Sequence, residues 1–149
     1  MKSTIKTFAI ALLAMTTNAF AIGGPNDNFH GAVHASGTYF ATPPSDSWAN
    51  VNAQNSVKAA FGEFDGETFV TLIAYDKQTD IKLDFKTAIG EGAIKMVVVN
   101  SQDEVVYTKT FAKSGSVETT LTLDVYEEYK VRFIGNQAVG AYTCTWTQQ

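Results

Sequence analysis

The sequence predicts an all-β protein: an antiparallel β-sandwich of the jelly-roll or immunoglobulin-like kind, with eight or nine strands. Three observations lead there. From Thr68 onward, runs dominated by Val, Ile, Thr, Tyr and Phe succeed one another without a helical period. Turn residues separate these runs roughly every eight to twelve positions, the spacing of a sandwich or barrel. Ile81, Leu83 and Phe85 alternate with Lys82, Asp84 and Lys86, so that one face of that strand is buried and the other wet.

The elements follow in order. Residues 1–21 read as a secretory signal peptide: Lys2 and Lys6 precede the apolar run 8–15, and small residues at Ala19 and Ala21 suit the cleavage site. That run is far shorter than the ~20 residues a membrane-spanning helix needs, so no membrane span is expected. The mature chain is expected to be exported, to the periplasm or outside the cell. Residues 22–55 form an N-terminal segment, partly irregular, with Gly23-Gly24-Pro25 and Pro43-Pro44 and one expected strand at 33–40. Its first part, 22–28, reads as a leader with too little apolar surface to offset the entropy of ordering it.

Residues 56–149 are expected to form the sandwich core. A strand at 56–64 comes first. Asp65-Gly66 suits a tight hairpin into a strand at 68–75. After the alternating strand around Ile81, Gly90-Glu91-Gly92 is expected to turn the chain into 93–100, whose nearly unbroken Ile94, Met96, Val97, Val98 and Val99 suggest a central strand. Ser101-Gln102-Asp103 returns it into 105–111, and Ser114-Gly115 into 117–123. Strands at 129–134 and 139–147, separated by Gly135-Asn136, close the domain.

Charge narrows the partners. Removal of residues 1–21 takes away two lysines and no acids, moving the formal charge from −4 to −6. Arg132 is the only arginine and the lysines are scattered, so the clustered cations that give affinity for a phosphate backbone are missing, and no nucleic-acid partner is expected. Cys144 stands alone, flanked in alternation by Tyr142 and Trp146, and reads as a small buried hydrophobe; an intermolecular disulfide or a reactive thiol is the alternative.

The pair 69–72 and 81–85, the hairpin-like 94–99 and 105–107 around Ser101-Gln102-Asp103-Glu104, and the closing pair 128–133 and 139–143 resemble the small jelly-roll modules of pre-peptidase C-terminal type that accompany exported bacterial enzymes. They are more loosely similar to the Golgi-dynamics-type sandwich. The resemblance implies a binding or accessory role and supplies no catalytic residues. Glu127 and Glu128 stand where those modules often have a glycine ahead of the tyrosine that opens the penultimate strand.

Candidate chemistry is sparse. His30 and His34, with Asp27, are weak candidates for a metal site, but on a strand the two histidines would lie roughly 13 Å apart, too far for one ion. Acids gather at Glu63, Asp65 and Glu67, at Asp103 and Glu104, and at Asp124, Glu127 and Glu128, readable as a solvated rim or as calcium ligands without a recognisable ligand spacing. No Ser or Cys lies in a nucleophile motif. No catalytic residue, no cofactor and no enzymatic activity are therefore expected. Trp48, in the polar stretch after Pro43-Pro44, is either an exposed ligand anchor, extended by Tyr39 and Phe40, or a cap over one open end of the sandwich.

The leading functional expectation is an exported binding protein that recognises a carbohydrate or a protein. The alternative is an assembly subunit in which the N-terminal segment of a neighbour completes an edge strand. An unrecognised hydrolase comes third, and the oligomeric state stays open.

Overall fold

A computed structural model of the chain describes residues 33–42 and 47–149. The expected signal peptide and leader, with Asp27 and His30, lie outside the described residues. Eight strands follow in order: β1 (Val33–Ala35), β2 (Tyr39–Phe40), β3 (Trp48–Ala53), β4 (Ser56–Ala74), β5 (Thr79–Val99), β6 (Val105–Phe111), β7 (Gly115–Leu123) and β8 (Glu128–Gln148). All strand pairings are antiparallel, and the described residues contain no helix, so none that could cross a membrane.

Three long strands make the architecture. β4, β5 and β8 each run through both layers of the sandwich and bend between them. The first layer consists of β3, residues 56–61 of β4, 140–148 of β8, 79–89 of β5, and β7. The second consists of β1 and β2, residues 66–74 of β4, 128–135 of β8, 93–99 of β5, and β6.

The bends replace three expected turns. Asp65-Gly66, Gly90-Glu91-Gly92 and Gly135-Asn136 lie inside β4, β5 and β8 rather than between separate strands. The ladder shifts register between Phe61 and Phe64, Phe64 and Gly66, Ile89 and Glu91, and Glu91 and Ala93. Extra residues taken up as bulges bend a strand sharply without reversing it, and a sequence reading mistakes the same glycines for hairpins. Gly92 has a φ of 71°, and a Cβ there would collide with the carbonyl oxygen of Gln137; a Cβ on Gly140, with a φ of 152°, would collide with that of Ala88. Only glycine fits this corner at both places.

The expected strand at 33–40 is broken into β1 and β2. Ser36 bridges the break: its N–H donates to the Thr71 carbonyl at 3.0 Å and its Oγ accepts from the Thr71 N–H at 2.9 Å.

One hydrophobic core fills the space between the layers. From the first layer come Val57, Phe61, Leu83, Phe85, Tyr142, Cys144 and Trp146; from the second come Val70, Leu72, Ile94, Met96, Val98, Val131 and Phe133. The Phe133 and Tyr142 rings stack across it at 4.3 Å, and Phe85 stacks on Phe133 at 5.6 Å. Cys144 is fully buried, and burial pushes its thiol pKa up, so it stays protonated at ordinary pH.

Candidate functional site

The outer face of the second layer carries a group of aromatic and charged residues brought together by strand register. Alternation puts Phe69, Thr71 and Ile73 of β4 on that face while Val70 and Leu72 enter the core. Register then brings Tyr39 beside Phe69, Phe69 beside Arg132, and Arg132 beside Val97, with Thr71, Lys130 and Val99 forming the next row.

Tyr39 is 53% exposed, and its ring lies 5.3 Å from that of Phe69 at an angle of 32°. The Lys130 ammonium sits 5.4 Å above the Phe69 ring, a cation–π contact. Arg132 donates from Nε and Nη2 to the two carboxylate oxygens of Glu67, at 2.7 and 2.8 Å. Such a fork holds both groups in one plane. The hydrogen bonds to Glu67 raise the Arg132 pKa against the opposing effect of its burial, and the charges of Glu67 and Asp103 raise it further.

Asp103 approaches from the turn between β5 and β6. The Asn100 side-chain oxygen accepts from the N–H groups of Gln102 and Glu104, each at 2.9 Å, which fixes the turn and lets Asp103 adopt a φ of 62°. Thr42 anchors the other side, its Oγ1 accepting from the Glu67 N–H at 2.8 Å. Glu67, Phe69, Val99, Asp103, Lys130 and Arg132 together line an open depression of about 320 Å³.

The three aromatics singled out in the sequence do not form one platform. Tyr39 lies on the outer face, but Trp48 turns inward: it is half-buried, stacks on Phe61 at 5.6 Å, and meets Phe64 at 5.1 Å and Tyr142 at 6.5 Å. Phe40, 41% exposed, follows Trp48, with its ring edge-on to the indole at 5.5 Å. Trp48 thus caps the core, because its strand partner Phe61 faces inward and a strand pair shares its face. His34, on β1, rests edge-on against Tyr75 at 5.6 Å.

Sequence reasoning named Glu67 and Asp103 only as turn acids, and did not single out Phe69, Lys130 or Arg132 as parts of a site. The signal lay in the period-2 pattern of two strands, but the pairing of positions 67 and 132 depends on long-range register. At the bent corner Glu63, Asp65 and Glu91 line a second depression with Gly92 and Gln137. Among the described residues no three His, Cys, Asp or Glu side chains come close enough together to hold a metal ion.

No family model matches the chain, and no curated protein does. Solved structures align with it over most of its length at low similarity. A carbohydrate-binding module of family 4 superposes with a TM-score of 0.43 at 13% identity, over 83% of this chain and 92% of that one. A family 35 carbohydrate-binding module from Paenibacillus barcinonensis gives a TM-score of 0.42 at 12% identity, over 79% and 94%. A family 61 module solved with β-1,4-galactotriose gives 0.41 at 11%, over 78% and 88%. Likeness of this extent carries neither a family nor a ligand from one chain to another.

Proposed function

We propose that this protein is an exported, non-catalytic binding protein that takes carbohydrate on the outer face of its second layer. The observation that carries the reading is an exposed aromatic ring, Tyr39 against Phe69, set beside the rigid Glu67–Arg132 fork. A sugar ring has an apolar C–H face that packs on an aromatic plane, and neighbouring hydroxyls that donate to a carboxylate and accept from a guanidinium. Tyr39 and Phe69 meet the first requirement; Glu67, Arg132, Lys130 and Asp103 meet the second. The signal-like residues 1–21 support export to the periplasm or the exterior.

The test is affinity electrophoresis of the mature protein through gels containing galactan, xylan, mixed-linkage β-glucan or laminarin. Retardation by one of these, abolished by Tyr39→Ala, is the expected result. Passage unretarded through every gel would count against the reading.

A second reading, assembly through an edge strand, is favoured by β6, which ends the sheet and leaves Val105 and Val106 59% and 45% exposed. Light scattering that finds only monomer at high concentration would exclude it.

A further inference from the structure

Just past the end of β4, six residues and about 20 Å from Phe69 at the rise of a strand, the chain reaches a second exposed aromatic group. Tyr75 is 46% exposed and Tyr126 72%, with their rings 6.0 Å apart and edge-on. His34 flanks Tyr75 on the other side. Tyr126 has a φ of 62°, a conformation that residues with a Cβ avoid. Its N–H donates to the Ala74 carbonyl at 2.8 Å, and the neighbouring Val125 forms an isolated bridge with Ala74. The backbone that holds the phenol ring out toward solvent is therefore anchored to the end of β4.

The ground between the two groups belongs to the same outer face. Thr71 pairs with Lys130 there, and Ile73 with Glu128. Three exposed tyrosines thus stand at the two ends of a partly polar floor, and no single sugar ring spans that length. We infer that the site takes the interior of an extended polysaccharide chain, running along β4 and held at two aromatic stations, Tyr39 with Phe69 and Tyr75 with Tyr126. The inference rests on the carbohydrate reading above and deepens it: the ligand is a chain of several rings, not a terminal sugar.

Calorimetry with oligosaccharides of the polysaccharide that retards the wild type, from dimer to hexamer, tests it. For the wild type, affinity is expected to rise by about tenfold or more between trimer and hexamer. Tyr75→Ala/Tyr126→Ala should lose that rise while binding the dimer as tightly as wild type; both side chains are exposed, and circular dichroism checks that the variant folds. A variant that keeps the full rise, or that weakens dimer and hexamer equally, would overturn the two-station inference while leaving the Tyr39 site standing. If no polysaccharide retards the wild type at all, both fall together.

Discussion

The hydroxyls of Thr68 and Tyr142 share a hydrogen bond of 3.0 Å across the middle of the sandwich, with both side chains buried. Thr68 belongs to the second layer and Tyr142 to the first, so this bond ties the layers together inside an otherwise apolar core. Removing either partner leaves the other unsatisfied. Tyr142→Phe or Thr68→Val alone is expected to cost about 1–3 kcal/mol, the penalty for a buried unpaired hydroxyl. The double variant should cost less than the sum of the two, and chemical denaturation of all four proteins checks the coupling.

Stability should fall at alkaline pH. Burial raises the pKa of both Tyr142 and Cys144 above their usual values of 10.0 and 9.0. The folded protein keeps these protons after the unfolded chain has released its own, so the unfolded state binds fewer protons and is increasingly favoured as pH rises. The stabilisation is fully present below the unfolded values and is lost as pH rises past about 9. The slope is at most about 1.4 kcal/mol per pH unit for each group. Urea melts from pH 7 to 11 would show it, and Cys144→Ala should move the onset up toward the tyrosine range.

The bent corner should not tolerate side chains. Gly140→Ala and Gly92→Ala each combine a left-handed φ with a collision against backbone oxygen, which only movement of β5 or β8 relieves. Each is expected to cost upward of ~2 kcal/mol. Ala at Gly37, where the nearest neighbour to an added Cβ is an Asn52 side chain at 3.5 Å, is a control expected to change little. Thermal melts of the three variants separate the outcomes.

Trp48 and Glu67 should divide stability from binding. Trp48→Ala removes a half-buried ring from a stack with Phe61 and Phe64, and is expected to destabilise by about 2–3 kcal/mol while leaving polysaccharide retardation intact in the folded fraction. Glu67→Gln should do the reverse. It weakens the fork with Arg132 on a partly exposed face, costing no more than about 1 kcal/mol of stability, yet it should reduce retardation several-fold. A Glu67→Gln protein retarded as strongly as wild type would remove the fork from the binding site.

The all-β class and most strand positions were legible because the long strands bury alternate residues over much of their length; Ile81, Leu83 and Phe85 alone disclose which face of β5 meets the core. The merging of strands was not legible. Gly90-Glu91-Gly92 reads equally well as a reversal or as a pair of bulges, and the choice depends on whether β8 continues alongside. Of the candidate site, the sequence pointed to Tyr39 as a ligand contact and to Glu67 and Asp103 only as turn acids. For Trp48 the polar sequence neighbours left an exposed anchor and a cap both open, and its strand partner Phe61 decides for the cap. Glu67 and Arg132 are 65 positions apart, and no local pattern links them.

The corner at which β4, β5 and β8 pass together from one layer to the other has a consequence for how this domain can be taken apart. Each central strand is a single covalent thread stitched through both layers, so neither layer exists as a segment of the chain that can be excised, duplicated or grafted alone. A peptide cut at the corner would separate strand halves whose partners lie on three different stretches of sequence. Splitting the protein for complementation, or inserting a guest domain, is therefore confined to the end connections, such as 101–104 and 112–114, where the chain leaves one strand before entering the next.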